Sequence, residues 1–206
     1  MDKPVYIIAL LAALGVLVVG GVALAISRTT VHLPLPQADL SPFASRVSLH
    51  SLQNKEYLTL SIVGSYSDPI RISGWTLENG KTSIELPEGT LLLRQGVVNT
   101  KQPIALYPGE EAVISFRSSP VGVSFHVNTC SPLLEKFQQF TPPLTSSVST
   151  STDGFYNDCV LAHERDANFY TGQWRIFAGT PSLFNNEHGA ITLRDENKLP
   201  IATLAY

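Results

Sequence analysis

The fold class is decided by residues 70–86, which read IRISGWTLENGKTSIEL. Apolar residues lie two positions apart at 70 and 72, at 75 and 77, and, beyond Asn79-Gly80, at 84 and 86. This is the period of a strand with one buried face. Asn-Gly is the dipeptide most typical of a tight turn between antiparallel strands. The stretch therefore predicts a β-hairpin.

The same alternation extends along the chain in both directions. Leu58, Leu60 and Ile62 fall on one side of a predicted strand, opposite two hydroxyl residues. Further short apolar runs are separated by turn signals such as Pro-Glu-Gly at 87–89 and Pro-Gly-Glu at 108–110. These runs lie at 91–93, 104–106, 112–116, 121–127, 174–177, 190–193 and 201–206. Such a succession predicts a mainly β domain, specifically an antiparallel β-sandwich.

A different pattern interrupts these strands at about 131–172. It contains Pro142-Pro143, a Ser/Thr-rich segment at 145–152, and helical spacing over 156–170. Five residues of that segment share one helical face, namely Tyr156, Cys159, Val160, His163 and Ala167. Asp153 or Asn157 is the predicted N-cap. We predict a partly helical insertion within a domain at 43–206.

The N-terminal part of the chain differs sharply from this domain. An apolar run without charged residues begins at Val5 and ends at Ile26, and as a helix it is about 33 Å long, enough to cross a bilayer core. We predict a retained transmembrane anchor at 1–28 with the C-terminal domain extracytoplasmic. The alternative is a signal peptide cleaved near Ala25, because Ala23-Leu24-Ala25 has the small-x-small pattern of a cleavage site.

Residues 29–42 contain three prolines and predict an extended linker of about 40 Å between anchor and domain. The mean hydropathy of +0.11 is thus an average over two unlike parts. The 206 residues carry a net charge of −3, contain no basic run and are 44% hydrophobic. These values argue against a disordered chain and against a nucleic-acid partner.

Several segments of the domain resemble the lamin-tail domain, an immunoglobulin-like sandwich of nuclear lamins and of many bacterial envelope and secreted proteins. The matching segments are EYLTL at 56–60, IRISGWTL at 70–77, IELPEGT at 84–90, LYPGE at 106–110, LFNN at 183–186 and ITLRD at 191–195. The order of anchor, linker and domain is similar to that of bacterial membrane-anchored members. The sequence departs from the family at His188-Gly189-Ala190 and at 195–198, where we expect Asn197 to adopt the left-handed conformation of the turn.

The two cysteines, Cys130 and Cys159, predict a disulfide if the domain is exported. A bridge closing a loop of this size stabilises the fold by about 3–4 kcal/mol. The alternative is a cytosolic domain in which both thiols are unpaired and pack as small apolar side chains.

Chemistry-bearing residues form no recognisable catalytic or metal-binding motif. The five histidines, at 32, 50, 126, 163 and 188, include no pair with zinc-ligand spacing. Asp158, His163 and Glu164 are the candidates for a hydrolase site in the insertion. The candidates for an aromatic binding platform are Tyr156, Phe169 and Tyr170, whereas Trp75 and Trp174 are predicted core residues.

The sequence therefore predicts a non-enzymatic, single-pass membrane protein of the cell surface, with no cofactor. Its lamin-tail-like domain is expected to mediate protein interaction, adhesion or envelope architecture. The expected partners are the membrane, through the N-terminal helix, and a protein or glycan whose identity the sequence leaves open. The alternatives are a carbohydrate- or cell-wall-binding module and an envelope hydrolase with a site in the insertion.

Overall fold

A computed structural model describes residues 40–51, 56–144, 154–180, 182–184 and 188–206. The predicted anchor and nearly all of the predicted linker lie outside these residues. Within the described residues, no helix is both long enough and apolar enough to cross a membrane.

The described residues form a mainly β fold, as predicted, with two short helices. The strands are β1 (Val47–Ser51), β2 (Tyr57–Ile62), β3 (Ile70–Arg71), β4 (Thr76–Glu78), β5 (Ser83–Glu85), β6 (Gly89–Thr90), β7 (Ala105–Leu106), β8 (Glu111–Ser115), β9 (Ser124–Asn128), β10 (Tyr170–Phe177), β11 (Ala190–Arg194) and β12 (Pro200–Ala205). A 3-10 helix spans Ser131–Lys136, and the α-helix α1 spans Tyr156–His163.

Two larger sheets and one strand pair contain these strands. The six-stranded sheet has the order β1-β2-β8-β10-β9-β6, the four-stranded sheet has the order β12-β11-β4-β5, and β3 pairs with β7. Apolar residues from both larger sheets, among them Leu60 of β2 and Leu193 of β11, form one buried cluster. This packing of two sheets around a shared core is consistent with the predicted β-sandwich.

The six-stranded sheet is mixed, so the prediction of purely antiparallel pairing is wrong there. β8 and β10 are parallel, with Trp174 opposite Ala112, and β6 and β9 are parallel as well. β10 enters the sheet between β8 and β9 after the long insertion. A connection of that length allows the crossover that parallel neighbours require.

The predicted hairpin is present as β4 and β5, which place Leu77 opposite Ile84. The side-chain oxygen of Asn79 accepts hydrogen bonds from the backbone N–H groups of Lys81 and Thr82, at 3.0 and 2.9 Å. Gly80 has φ +81°, a conformation that glycine adopts without a steric penalty. The turn therefore forms for the reasons that the sequence indicates.

Three local predictions in the strands and turns are wrong. The strand predicted across 70–77 is interrupted at 72–75, so that β3 and β4 belong to different sheets. Residues 91–93, predicted as a strand, instead begin a loop after β6, because the ladder with β9 ends at Thr90. In the turn between β11 and β12 the left-handed residue is Lys198, with φ 64°, and not Asn197. The carboxylate of Asp195 accepts hydrogen bonds from Asn197 and Leu199, and these bonds fix the turn.

The insertion is shorter and less helical than predicted. β10 begins at Tyr170, inside the predicted boundary, and α1 ends at His163, so that Ala167 lies beyond the helix and is exposed. The N-cap residue is Phe155, which makes no side-chain capping bond. Asp153 lies outside the described residues, and Asn157 bonds to a neighbouring loop instead of capping the helix.

Candidate binding surface

The insertion builds a second hydrophobic core against β9. Its buried members include Phe125 and Val127 from the strand and Leu133, Leu134, Phe140, Leu144, Val160 and Phe169 from the insertion. Burial of one such side chain contributes about 1.5–3 kcal/mol. The insertion is therefore an integral layer of the domain.

The predicted bridge between Cys130 and Cys159 is present and lies within this second core. It joins the residue that precedes the 3-10 helix to the first part of α1, with a Cα–Cα distance of 5.8 Å. Asn128 supports the same junction, because its amide oxygen accepts a hydrogen bond from the N–H of Cys130 and its amide nitrogen donates to the hydroxyl of Tyr156. The bridge and this amide together fix α1 relative to β9.

Arg175 of β10 ties the other half of the insertion to the sheet. Its guanidinium donates to the carbonyl oxygens of Pro142 and Pro143, at 2.8 and 2.5 Å. Burial lowers the pKa of Arg175 to about 10, so the side chain remains a cation at neutral pH. A charged donor strengthens both hydrogen bonds.

The three predicted platform residues do not form a shared surface. Tyr156 and Phe169 are 1% and 2% exposed and pack in the second core, whereas Tyr170 reaches the surface. Burial raises the pKa of Tyr156 to about 12. Tyr156 and Phe169 are buried because α1 and the residue before β10 direct these two side chains toward β9. Trp75 and Trp174 are core residues, as expected.

Two other aromatic residues of the insertion lie at its surface. Phe137 follows the 3-10 helix and is 68% exposed, and Phe155 precedes α1 and is 63% exposed. Their rings stack, with centroids 6.3 Å apart and planes 12° from parallel. Since each ring is next to one of the two elements that the disulfide joins, the bridge holds this aromatic pair together. Sequence spacing gave no signal for it.

The candidate hydrolase residues are not brought together. Asp158 is exposed in the first turn of α1, and the imidazole Nδ1 of His163 lies 2.8 Å from a carboxylate oxygen of Asp166. Glu164 forms an ion pair with Arg94. Within the described ranges, no group of three His, Cys, Asp or Glu side chains is arranged to hold a metal ion.

One face of α1 holds the loop at 91–100, hereafter the 91–100 loop. The side-chain amide of Asn157 accepts from the N–H of Gln95 at 2.9 Å and donates to the carbonyl of Gln95 at 3.0 Å. Glu164 accepts from Arg94 at 2.5 Å. The spacing of seven residues between Asn157 and Glu164 places both on one helical face, and this was the signal that sequence reasoning missed.

His126 of β9 is a second residue that sequence reasoning missed. Its ring stacks between Tyr170 and Trp174, with both centroid distances 4.8 Å. Neither ring nitrogen has a hydrogen-bond partner among the described residues, and the nearest carboxylate oxygen, from Glu110, is 4.0 Å from Nε2. Burial lowers the pKa of His126 to about 4, so the imidazole is neutral at physiological pH.

Comparison with known proteins identifies no relative of this chain. No protein-family model, curated protein or solved structure matches it.

Proposed function

We propose that the chain is a non-enzymatic, membrane-anchored surface protein whose lamin-tail-like domain mediates protein interaction, adhesion or envelope architecture. In this proposal the apolar run at 5–26 anchors the chain, and residues 29–42 space the domain from the membrane. Secretion after cleavage near Ala25 is the alternative, and it would also place the domain outside the cytoplasm.

The disulfide supports an extracytoplasmic location. Disulfides persist in oxidising compartments and are rare in the reducing cytosol. Here the bridge lies in a core, with Cys130 fully buried, and fixes α1 against β9. A bridge in such a position has a structural role and suits a domain that works outside the cytoplasm.

The single observation that carries the interaction role is the exposed aromatic pair, Phe137 and Phe155. Large aromatic side chains are enriched at protein interfaces and supply much of the binding energy there. Since the disulfide holds the elements behind both rings, little conformational entropy is lost when a partner binds. His163 and Glu164 contact different partners, and Asp158 is exposed in the first turn of α1, so the hydrolase alternative has no comparable support.

The test is partner capture by the full-length chain, reconstituted in lipid nanodiscs and mixed with an envelope extract of the cells that make it. We expect a discrete partner that is recovered with the wild type and lost with the double variant Phe137→Ser/Phe155→Ser. The matched control is Tyr107→Ser, which changes an exposed aromatic residue in a turn outside the insertion. Equal recovery with all three proteins, or no specific recovery with any of them, would contradict the proposal.

A further inference from the structure

Two shallow grooves lie on either side of the 91–100 loop. One has a volume of about 280 Å³ and separates the loop from Val121 and Gln138. The other has a volume of about 340 Å³ and lies between the loop and Gln102. Arg94, Val97 and Asn99 line both grooves. A ligand that crosses the loop at these residues would contact both grooves.

The wall between the grooves is held in shape before any ligand arrives. The side chain of Asn99 accepts from the N–H of Arg94 at 2.8 Å and donates to the carbonyls of Arg94 and Val97 at 2.9 and 3.2 Å. From the other side, Asn157 bonds to both backbone groups of Gln95. A preorganised loop binds with a smaller loss of conformational entropy than a loop that orders on binding.

These same bonds reduce the number of backbone groups that a peptide ligand could use. An extended peptide binds an edge through free backbone N–H and C=O groups. Here the backbone groups of Arg94 and Gln95 are already engaged by Asn99 and Asn157. At these two residues the loop therefore offers a peptide ligand no free backbone N–H or C=O group.

Apart from Arg94, the side chains that line the grooves are uncharged, and they are both apolar and polar. Arg94 is the cation common to both, and its charge is offset by Glu164 at 2.5 Å. The other polar lining groups are amides and hydroxyls, from Gln95, Asn99 and Gln138 in the first groove and from Thr90, Thr100 and Gln102 in the second. Amides both donate and accept hydrogen bonds, as sugar hydroxyls do. Such a lining fits a neutral polyhydroxyl ligand better than an anion.

Gln138 adds an unsatisfied group to the first groove. Its amide oxygen is buried and has no hydrogen-bond partner among the described residues. Buried acceptors without partners are uncommon and destabilising. Rotation about the terminal torsion of glutamine is soft, so the amide can turn its oxygen toward a hydroxyl donor in the groove.

Apolar side chains beside these polar groups complete the match. Val97, which lies between the grooves, and Val98 at the tip of the loop are 61% and 100% exposed. Sugar rings carry C–H groups on their faces and hydroxyls at their edges, so exposed valines next to amides can contact both. We propose that the two grooves bind a neutral, linear oligosaccharide that crosses the loop at Val97. This inference goes beyond the proposed function, because neither groove is lined by Phe137 or Phe155.

The experiment is calorimetric titration of the full-length chain in lipid nanodiscs. The probes are di- and hexasaccharides of the cello, chito and manno series. Because two grooves are filled by the longer ligand and one by the shorter, we expect one series in which the hexasaccharide binds about tenfold or more tightly than the disaccharide. Gln138→Leu should weaken that binding about tenfold. Gln139→Leu, the exposed neighbouring residue, is the matched control and should bind as the wild type does.

Three results would overturn the inference. They are no binding in any series, equal affinity for di- and hexasaccharide, and an equal effect of the Gln138 and Gln139 substitutions. The Phe137→Ser/Phe155→Ser variant separates this failure from failure of the proposed function, because it should lose partner capture and keep saccharide binding.

Discussion

His126 is the residue whose ionisation the fold controls most directly. Its ring lies between those of Tyr170 and Trp174, and both ring nitrogens are buried without partners among the described residues. The carboxylate of Glu110 is 4.0 Å away, beyond hydrogen-bond distance, and Glu111 accepts a hydrogen bond from Gln173. Removal of the imidazole from water therefore dominates, and the fold favours the neutral ring.

This burial predicts an acid-sensitive contribution to stability. The pKa of His126 is about 4 in the folded protein and 6.5 for an unperturbed side chain, so the unfolded state binds more protons between these values. The contribution is complete above pH 6.5 and is lost as the pH falls toward 4, by about 3 kcal/mol. The measurement is urea unfolding at pH 7 and pH 4. His126→Phe, which keeps a ring in the stack, should reduce the loss by that amount.

The control for this prediction is His50→Gln, at an exposed position of β1. It should lose as much free energy of unfolding between pH 7 and pH 4 as the wild type does. If the His126→Phe variant also follows the wild type over this interval, the burial of His126 has no effect on acid stability and the interpretation is wrong.

Single residues also show which buried side chains could be predicted from the sequence and which could not. Trp75 and Trp174 were predictable as core residues because both lie within period-two patterns of the sequence. Tyr156 and Phe169 were not, because the insertion has no strand pattern and burial there depends on contacts with β9. Residue type alone could not separate these two side chains from Phe137 and Phe155, which have similar rings and are exposed.

At the level of elements, local pairing was predictable and distant pairing was not. The hairpin of β4 and β5 depends on residues within ten positions of one another, and its turn residues identify it. The parallel pair of β8 and β10 places Trp174 opposite Ala112, and no local pattern encodes that contact. The end of β6 was likewise not predictable, because the strand ends where its pairing with β9 ends.

The disulfide fixes α1, and α1 in turn holds the 91–100 loop. Removal of the bridge should therefore affect the loop as well. The variant Cys130→Ala/Cys159→Ala should unfold with a free energy about 3–4 kcal/mol lower than that of the wild type. With α1 less fixed, Asn157 and Glu164 should hold the loop less firmly. Hydrogen exchange should therefore accelerate at the amides of Arg94 and Gln95, both of which are hydrogen bonded in the native fold.

The amides of Lys81 and Thr82, in the turn between β4 and β5, are the internal control for that experiment. Both donate to Asn79 in an exposed turn outside the insertion and should exchange through local opening of that turn. Exchange at Arg94 and Gln95 that changes no more than exchange at Lys81 and Thr82 would show that the disulfide does not support the loop, and the interpretation would be wrong.

At the scale of the whole molecule, the parts of this protein differ in how readily they can be predicted from the sequence. The apolar run at 5–26, the proline-rich linker and the β domain follow from composition and periodicity. The second core, the exposed aromatic pair and the two grooves arise only when the insertion packs against β9 and the 91–100 loop. The mainly β class of the domain was therefore predictable, whereas the proposed binding surfaces required the tertiary structure.

The central claim is that this domain is held at the outer face of a membrane. The most direct test is proteinase K treatment of wall-stripped, intact cells that express the full-length chain, with a cytosolic protein as the control for lysis. We expect loss of the full-length chain while the cytosolic control stays intact, because the proposal places residues 29–42 outside the cell. Digestion of the chain only after lysis, together with the cytosolic control, would contradict the account.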